Sequence, residues 1–398
     1  MRRRSVLATI AAASLPRRTR AEDLPPLRIG VLGDPTGIGA SSSGAPMVMA
    51  AQMAAADFGP LPDGRAIEIL SAEFRLKPDD ALAIARHWFD ALSVSAITDL
   101  PTAAAAVAVQ DLARRVGRIV LNTGSINPAL SGRSCATVAT EWADDTITLG
   151  NTLARGLAAD GVKTWYLIVP DTAISLAIQH DATQAIVAAG GRVVGISQHP
   201  AGLASFAAPV TEATQSGAQA VGLCGIGDDL AGTIRQARAG GLFTTTRRLA
   251  AFAASIGEIH AIGLATAQDL LLAGSFYWNE NEPSRSFANR FTRATGRMPG
   301  KSHAATYAAI LHYIRCVVSM DSLDADKVSQ EMRRAPVYVF GRTGRIRLDG
   351  RVLLDMTLYR VRDPAAATND WDCYEQVRTI PATEAYRPPA QGGCSAAP

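Results

Sequence analysis

The amino-acid sequence predicts an α/β protein with two doubly wound parallel-sheet lobes. The chain of 398 residues is long enough for two domains, and 48% hydrophobic residues supply the apolar material for two cores. From Leu27 onward, short apolar runs alternate with segments whose apolar residues recur at helical spacing, and this pattern restarts near Thr146. Alternation of this kind is typical of parallel βαβ units.

The predicted elements follow in a regular order. In the first half we predict helices and strands alternating, with strands at 27–32, 66–71, 95–98 and 118–122 and helices at 45–58, 79–92 and 101–115. In the second half we predict helices at 146–159, 173–189, 206–215 and 228–239 and strands at 164–169, 193–196 and 220–223. A helix-rich stretch covers 283–334, and short strands with an Asp349-Gly350 turn are predicted within 341–361.

The first 21 residues have the pattern of an export signal. Three arginines at 2–4 precede an apolar stretch at 6–15, and Ala21 is a small residue at a suitable cleavage position. The apolar stretch is shorter than the ~20 residues that span a bilayer, although an uncleaved anchor and a mis-assigned start codon are alternatives. The twin arginines at 3–4 fit the Tat route, and Sec export stays open. Since no lipobox cysteine follows, we expect a soluble protein exported to the periplasm.

The charge balance gives no support to nucleic-acid binding. The chain carries 39 basic and 36 acidic residues, and several of the basic ones lie in the export signal. The mature protein should therefore be close to neutral, without the basic surface that nucleic acids require.

The five cysteines do not form a metal or redox motif, because none belongs to a CxxC pair. Cys135 and Cys394 lie in polar, loop-like segments, and export permits oxidation, so we predict a disulfide between them. Cys224 and Cys316 lie in apolar runs, where buried small side chains are expected.

The sequence lacks the motifs of an α/β enzyme. It has no GxSxG elbow, no HExxH pair and no GxGxxG loop that opens a helix, and its six histidines lack metal-ligand spacing. The stretch from Gly296 to Ser302 resembles a P-loop, but it has three residues between its glycines instead of four, and no strand leads into it. We therefore predict a protein that is not an enzyme and uses no metal or cofactor.

Several stretches, in a fixed order along the chain, carry a family resemblance. They are 29–37 (IGVLGDPTG), 77–79 (KPD), 85–88 (ARHW), 276–278 (FYW) and 344–351 (GRIRLDGR). By these stretches the chain resembles the type I periplasmic binding proteins, specifically the leucine- and branched-chain-amino-acid-binding family of ABC importers. The resemblance extends over nearly the whole chain after residue 27.

The resemblance implies two lobes joined by hinge strands, which close over a ligand in the cleft between them. The implied N-terminal lobe is 27–143 plus 275–338, the C-terminal lobe is 144–274 plus 339–388, and 389–398 is a tail. The implied function is a periplasmic solute-binding protein that delivers a small carboxylate (an amino acid, an aromatic acid or a keto acid) to an ABC permease. A monomer is the family's usual state, and a sensory module of the same fold is the alternative.

Residues that follow the predicted strands are the candidate ligand contacts. In open α/β sheets ligands bind beyond the carboxyl ends of the strands, where helix N-termini offer free N–H donors. The candidates are Thr102, Ala103, Thr123, Gly124, Ser125, Thr172, Ala173 and Cys224. By the resemblance, the ligand carboxylate lies at Thr102 and at Thr123 to Ser125. The alternatives are that Thr102 only caps its helix and that Ser125 only stabilises a turn.

Two aromatic residues are further candidates. Tyr277 and Trp278 follow a predicted strand at 270–276 and would give the cleft a large apolar face. The alternative is that one of them is a hinge or core residue.

The chain departs from the family pattern in ways that bear on the ligand. It has Ala103 where relatives often have serine, and Thr172-Ala173 where an aromatic residue often follows the aspartate. The segment that would supply an acid for a ligand ammonium, 250–254 (AAFAA), contains none, although Asp228 or Glu258 could substitute. Because a buried unpaired ammonium costs several kcal/mol, we expect a carboxylate without an amino group.

Overall fold

Two sheets organise the protein into two lobes. The computed structural model describes residues 25–34, 43–243 and 247–395. The predicted export signal at 1–21 lies outside these described residues. None of the described helices is long and apolar enough to cross a membrane.

The described residues form fifteen strands and thirteen α-helices. The strands are β1 (Leu27–Gly33), β2 (Ile67–Glu73), β3 (Val94–Asp99), β4 (Ile119–Asn122), β5 (Ala139–Glu141), β6 (Thr164–Pro170), β7 (Arg192–His199), β8 (Ala220–Leu223), β9 (Arg248–Ala251), β10 (Leu271–Gly274), β11 (Val337–Val339), β12 (Arg342–Ile346), β13 (Val352–Leu353), β14 (Met356–Val361) and β15 (Tyr374–Ile380). The helices are α1 (Ala45–Phe58), α2 (Pro78–Ala91), α3 (Ala103–Val116), α4 (Thr146–Ala158), α5 (Ala173–Ala188), α6 (Ala207–Gln215), α7 (Gly227–Ala239), α8 (Ile256–Ile262), α9 (Leu264–Ala267), α10 (Glu282–Thr295), α11 (Lys301–Met320), α12 (Ala325–Arg334) and α13 (Ala382–Ala385).

The first lobe is built on an all-parallel sheet of five strands in the order β2-β1-β3-β4-β5. The central strands β3 and β4 are buried along their whole length, as expected where helices cover a parallel sheet. Helices α1, α2 and α3 connect the strands, and α11 packs against α1.

The second lobe has seven strands in the order β15-β14-β10-β9-β8-β6-β7. Strands β6 to β10 are parallel, whereas β14 and β15 pair antiparallel at one edge. The predicted fold class, two α/β lobes with parallel sheets, is therefore confirmed, with an antiparallel pair added to one of them.

A small third sheet lies between α12 and β14 along the chain. Strands β11, β12 and β13 are antiparallel to one another. Their buried residues Val337, Val339, Ile346 and Val352 pack in the core of the first lobe. Val339, Ile346 and Val352, which lie in a range that the sequence assigned to the C-terminal lobe, thus pack in the core of the N-terminal lobe, whereas Leu353 packs in the core of the C-terminal lobe.

A buried ion pair lies where the chain first passes between the lobes. Arg351 is 2% exposed, and its guanidinium donates to the Asp145 carboxylate and to the Ala143 carbonyl (2.5 Å). Asp145 also caps α4 by accepting from the Thr148 N–H at 2.7 Å. The segment around Arg351 is therefore fixed against the passage at 141–145.

A disulfide joins the C-terminal tail to the first lobe. Cys135 and Cys394 form the predicted pair, with their Cα atoms 5.6 Å apart. Nearby, the Arg387 guanidinium donates to the Pro128 carbonyl at 3.0 Å. The tail, which follows the last strand of the second lobe, is thus held against a loop of the first. The thiols of Cys224, Cys316 and Cys373 are free and buried.

Candidate functional site

The strand ends of the first lobe meet at one edge of its sheet. In the parallel register Leu32 pairs with Asp99, and Asp99 pairs with Asn122. The residues that follow these strands, Asp34, Leu100 and Thr123, therefore lie side by side at the carboxyl edge, where ligands bind in this class of sheet.

The Thr123 hydroxyl is directed into the lobe. It lies 3.0 Å from the Thr98 hydroxyl, accepts from the Thr306 hydroxyl at 2.7 Å, and accepts from the Asp99 N–H at 3.2 Å. Thr123 is also fully buried. This hydroxyl connects β3, β4 and α11, so it is better explained as part of the lobe's interior than as the ligand contact that the sequence suggested.

Asp99 is a buried acid at the same edge that the sequence analysis did not single out. The Ser43 hydroxyl donates to its Oδ2 at 2.6 Å, while Oδ1 has no hydrogen-bond partner among the described residues. Burial raises the pKa of the Asp99 carboxyl to about 7, and the Asp34 carboxylate adds to that rise against the Ser43 hydrogen bond. The only signal in the sequence was an acid directly after an apolar strand.

The backbone at this edge has an uncommon conformation. Asp99 and Leu100 both have positive φ, 76° and 61°, which non-glycine residues rarely adopt and which is often found at functional sites. The turn lets the Asp99 carbonyl accept from the Gly124 N–H at 2.9 Å. A side chain at Gly124 would lie 2.4 Å from Asp99 Oδ1, so only glycine fits there.

The other first-lobe candidates also lie at this edge, and some of their polar atoms already form hydrogen bonds within the protein. The Thr102 hydroxyl caps α3 by accepting from the Ala105 N–H at 3.4 Å, and Ala103, the first residue of that helix, is exposed. The Ser125 hydroxyl accepts from the Asn127 N–H at 3.3 Å, which leaves its own proton free to donate. Ser125 and the half-buried Gly124 are the candidates best able to contact a ligand.

The second-lobe candidates fall into two groups. Thr172 caps α5 by accepting from the Ser175 N–H at 3.2 Å, and Ala173 is exposed at the start of that helix, so both lie at the carboxyl end of β6. Cys224 is fully buried in the core of the second lobe, and burial raises its pKa. Its thiol therefore packs in the core.

Tyr277 and Trp278 anchor a second-lobe loop. The Tyr277 hydroxyl donates to Asp372 at 3.0 Å and accepts from the Tyr374 N–H at 3.2 Å. The Trp278 Nε1–H donates to the Trp371 carbonyl at 2.7 Å. Both side chains are buried, so the core interpretation that the sequence left open accounts for both residues.

A buried cation lies where two chain segments that connect the lobes, one at Asp144 and one at Ser275, come together. Lys301 Nζ is 3.9 Å from Asp144 Oδ2, and the same oxygen accepts from the Ser275 N–H at 2.9 Å. Burial lowers the pKa of Lys301, while the Asp144 and Glu258 carboxylates act in the opposite direction. In the sequence, Lys301 belongs to the P-loop-like stretch that was rejected above. The structure agrees with that rejection, because Gly296 ends α10 and Gly300 precedes α11, with no strand between them.

Glu258 lies close to Lys301 on the second lobe. Its Oε1 accepts from the Gly227 N–H at 2.7 Å, and its Oε2 accepts from the Ser255 N–H at 2.8 Å. It thereby completes a capping box at the start of α8 and holds the start of α7. No group of three His, Cys, Asp or Glu side chains within the described ranges could hold a metal ion.

Comparisons with known proteins agree with this architecture. A family model described as a periplasmic binding protein matches residues 26–367. None of the curated proteins matches the chain.

Solved structures extend the match over nearly the whole chain. A periplasmic binding protein from Burkholderia mallei is 31% identical, with 93% of this chain and 98% of that one covered and a TM-score of 0.85. A branched chain amino acid ABC transporter periplasmic ligand-binding protein from Burkholderia xenovorans LB400 is 30% identical, with 93% and 99% covered and a TM-score of 0.88. A solute binding protein of an ABC transporter from R. palustris, solved in complex with benzoate, shares the fold at 14% identity, with 93% and 99% covered and a TM-score of 0.75.

Proposed function

The chain belongs to the periplasmic binding protein family, and we propose that it captures a small carboxylate between its lobes and delivers it to an ABC permease of the inner membrane. As a member of that family it is the solute-binding component of an ABC transporter and not an enzyme. The export signal predicted at 1–21 would place it in the periplasm, where we expect a monomer.

The observation that carries the proposal is the meeting of polar groups from both lobes at the two chain passages. Lys301 begins helix α11, which packs on the first lobe. Asp144 shortly precedes the second-lobe helix α4, and Ser275 follows the second-lobe strand β10. A cleft between two such lobes opens and closes by rotation about the passages. A ligand bound there would contact both lobes and stabilise the closed form.

The proposed contacts come from both sides of the cleft. From the first lobe we propose the Thr102 and Ser125 hydroxyls and the backbone at Ala103 and Gly124, and from the second lobe the start of α5 at Thr172 and Ala173. Free N–H groups at the starts of α3 and α5 favour a carboxylate. These residues are half-buried or exposed, apart from Ser125, which is buried.

The acids near the proposed site are weak partners for a ligand ammonium. Segment 250–254 offers no acid, and both Glu258 oxygens already accept backbone hydrogen bonds. Asp228 is exposed in the first turn of α7, and burial raises the pKa of the Asp99 carboxyl to about 7, which disfavours its charged form. We therefore propose a carboxylate that lacks an amino group, such as an aromatic or keto acid. The benzoate complex of the R. palustris protein supports this class as one that the fold can hold, while the B. xenovorans relative keeps branched-chain amino acids as the competing class.

A thermal-shift screen of the purified mature protein tests the proposal. The panel contains branched-chain amino acids, benzoates, 2-keto acids and short dicarboxylates. A ligand present at a hundred times its Kd stabilises the folded protein by about 2.7 kcal/mol, which moves Tm by a measurable amount. A shift with benzoates or keto acids supports the proposed class, a shift with leucine alone contradicts it, and no shift with any carboxylate contradicts the proposal as a whole.

A further inference from the structure

We propose that the Lys301 ammonium group binds an anionic oxygen of the ligand and so selects carboxylates over their neutral analogues. This inference rests on the proposed function, since it names the residue that would supply the positive charge of that site. No sequence pattern predicted this role for Lys301.

The position of the ammonium group is the first argument. Asp144 lies at the first passage of the chain between the lobes, and Ser275 lies at the second. Lys301 Nζ is 3.9 Å from the Asp144 oxygen that the Ser275 N–H also contacts. The ammonium group therefore lies where the two connections between the lobes come together, beside groups from both lobes.

The unsatisfied donors of Lys301 are the second argument. Nζ has no hydrogen-bond acceptor among the described residues and almost no exposed surface of its own. One fifth of the side chain is exposed, and because Nζ is covered, this exposed part is the carbon stem. An ammonium group has three donors, and burying them without acceptors costs several kcal/mol. An oxygen anion of a ligand would satisfy them.

The neighbouring carboxylates, in contrast, are already hydrogen-bonded. Asp144 accepts from the Ser275 N–H, and Glu258 accepts from the Gly227 and Ser255 N–H groups. They can balance the charge of Lys301 at a distance without occupying its donors. The cluster therefore combines partnered acids with a cation whose donors remain available.

The helical position of Lys301 is the third argument. It is the first residue of the twenty-residue helix α11, where the helix dipole disfavours a positive charge. Local rules of this kind are broken mainly where function compensates for the cost.

Isothermal titration with acid and amide pairs tests the inference. The probes are benzoate with benzamide, and L-leucine with L-leucinamide. In the Lys301→Met protein we expect the affinity for the acid that binds wild type to fall by about 10- to 100-fold, the range for a charge-assisted hydrogen bond. The affinity for the matching amide should stay nearly unchanged. Lys301→Arg, which keeps the charge but changes its geometry, should give an intermediate loss.

Lys163→Met is the matched control, because Lys163 is exposed beside the amino end of β6, away from the cleft. If the Met variant does not fold, Lys301→Gln replaces it. Equal losses for acid and amide would mean that Lys301 only supports the fold, and an unchanged acid affinity would also overturn the inference while leaving the proposed function intact. Failure of wild type to bind any carboxylate of the thermal-shift panel would instead contradict the carboxylate proposal, and the inference with it.

Discussion

Arg351 and Asp145 form a buried ion pair that connects the last third of the chain to its first passage between the lobes. Both side chains are almost fully covered, and the Arg351 guanidinium also donates to the Ala143 carbonyl. A buried charge that loses its partner is strongly destabilising. The pair therefore holds the segment around Arg351 against the first chain connection between the lobes.

We predict that Arg351→Met lowers the free energy of unfolding by about 3–5 kcal/mol, because Asp145 would remain buried without its counter-ion. Urea denaturation of both proteins measures the change. Arg378→Met is the control, since its pair with Asp160 is 40% and 36% exposed and should contribute less than about 1 kcal/mol. Equal effects of the two substitutions would contradict the prediction.

Thr123→Ala and Ser125→Ala should separate stability from binding. Thr123 lies in a buried hydroxyl network, so its loss should reduce stability by about 1–3 kcal/mol and leave ligand affinity unaltered. Ser125 keeps a proton to donate, so its loss should weaken binding by about fivefold, equivalent to ~1 kcal/mol. Urea denaturation measures the stability of both variants, and isothermal titration with the best carboxylate of the panel measures their affinity. A loss of affinity in Thr123→Ala, with unaltered affinity in Ser125→Ala, would show that Thr123 is the ligand contact.

Asp99→Asn should change how stability depends on pH. Burial raises the pKa of this carboxyl to about 7 in the folded protein, against about 3.9 in an unfolded chain. Between these values the folded state holds a proton that the unfolded state has lost, so stability falls as pH rises from about 4 to 7, by at most about 1.4 kcal/mol per pH unit. The variant lacks this contribution, so its stability relative to wild type should increase over the same window.

Unfolding measured at several pH values between 4 and 8 tests this expectation. Asp111→Asn, on the exposed surface of α3, controls for the loss of a negative charge. A difference between Asp99→Asn and wild type that is constant with pH would show that the Asp99 carboxyl does not titrate in this window.

Removal of the disulfide should loosen the tail and lower Tm. The bond joins positions separated by 259 residues, and closing so long a loop contributes about 5–6 kcal/mol in the chain-entropy account. We expect Cys135→Ser combined with Cys394→Ser to melt at a lower temperature than oxidised wild type. Dithiothreitol should lower the Tm of wild type in the same way and leave that of the double variant unaltered. An effect of the reductant on the double variant would point to another cause.

The alternation of elements could be predicted well because it depends on local pattern. Helix α1 has the predicted bounds, and α3 begins two residues later than predicted because Thr102 caps it from outside. The strand predicted at 270–276 ends at Gly274, since the Ser275 N–H bonds to Asp144 instead of to the sheet. Strands β5, β9, β11 and β15 were not predicted: the first three are too short for a clear pattern, and β15 depends on a partner, β14, for its pairing.

The site was harder to predict because its contacts join distant parts of the chain. A sequence shows that hydroxyls follow strands, but the direction of the Thr123 hydroxyl depends on Thr306, which belongs to the distant helix α11. The significance of Lys301 arises from Asp144 and Glu258, neither of which is near it in sequence. Tyr277 and Trp278 were recognised as notable aromatics, yet their partners lie in the loop at 371–374.

The strand order of the second lobe determines how the protein can fold. Strand β10 has β9 on one side and β14 on the other, so its second edge is covered only after the chain has left the lobe and returned. Pairing of this kind has high contact order and is expected to slow folding. Until β14 arrives, β10 presents an open edge on which another chain could pair. A nascent or truncated chain that stops before residue 356 should therefore depend on chaperones to remain unaggregated.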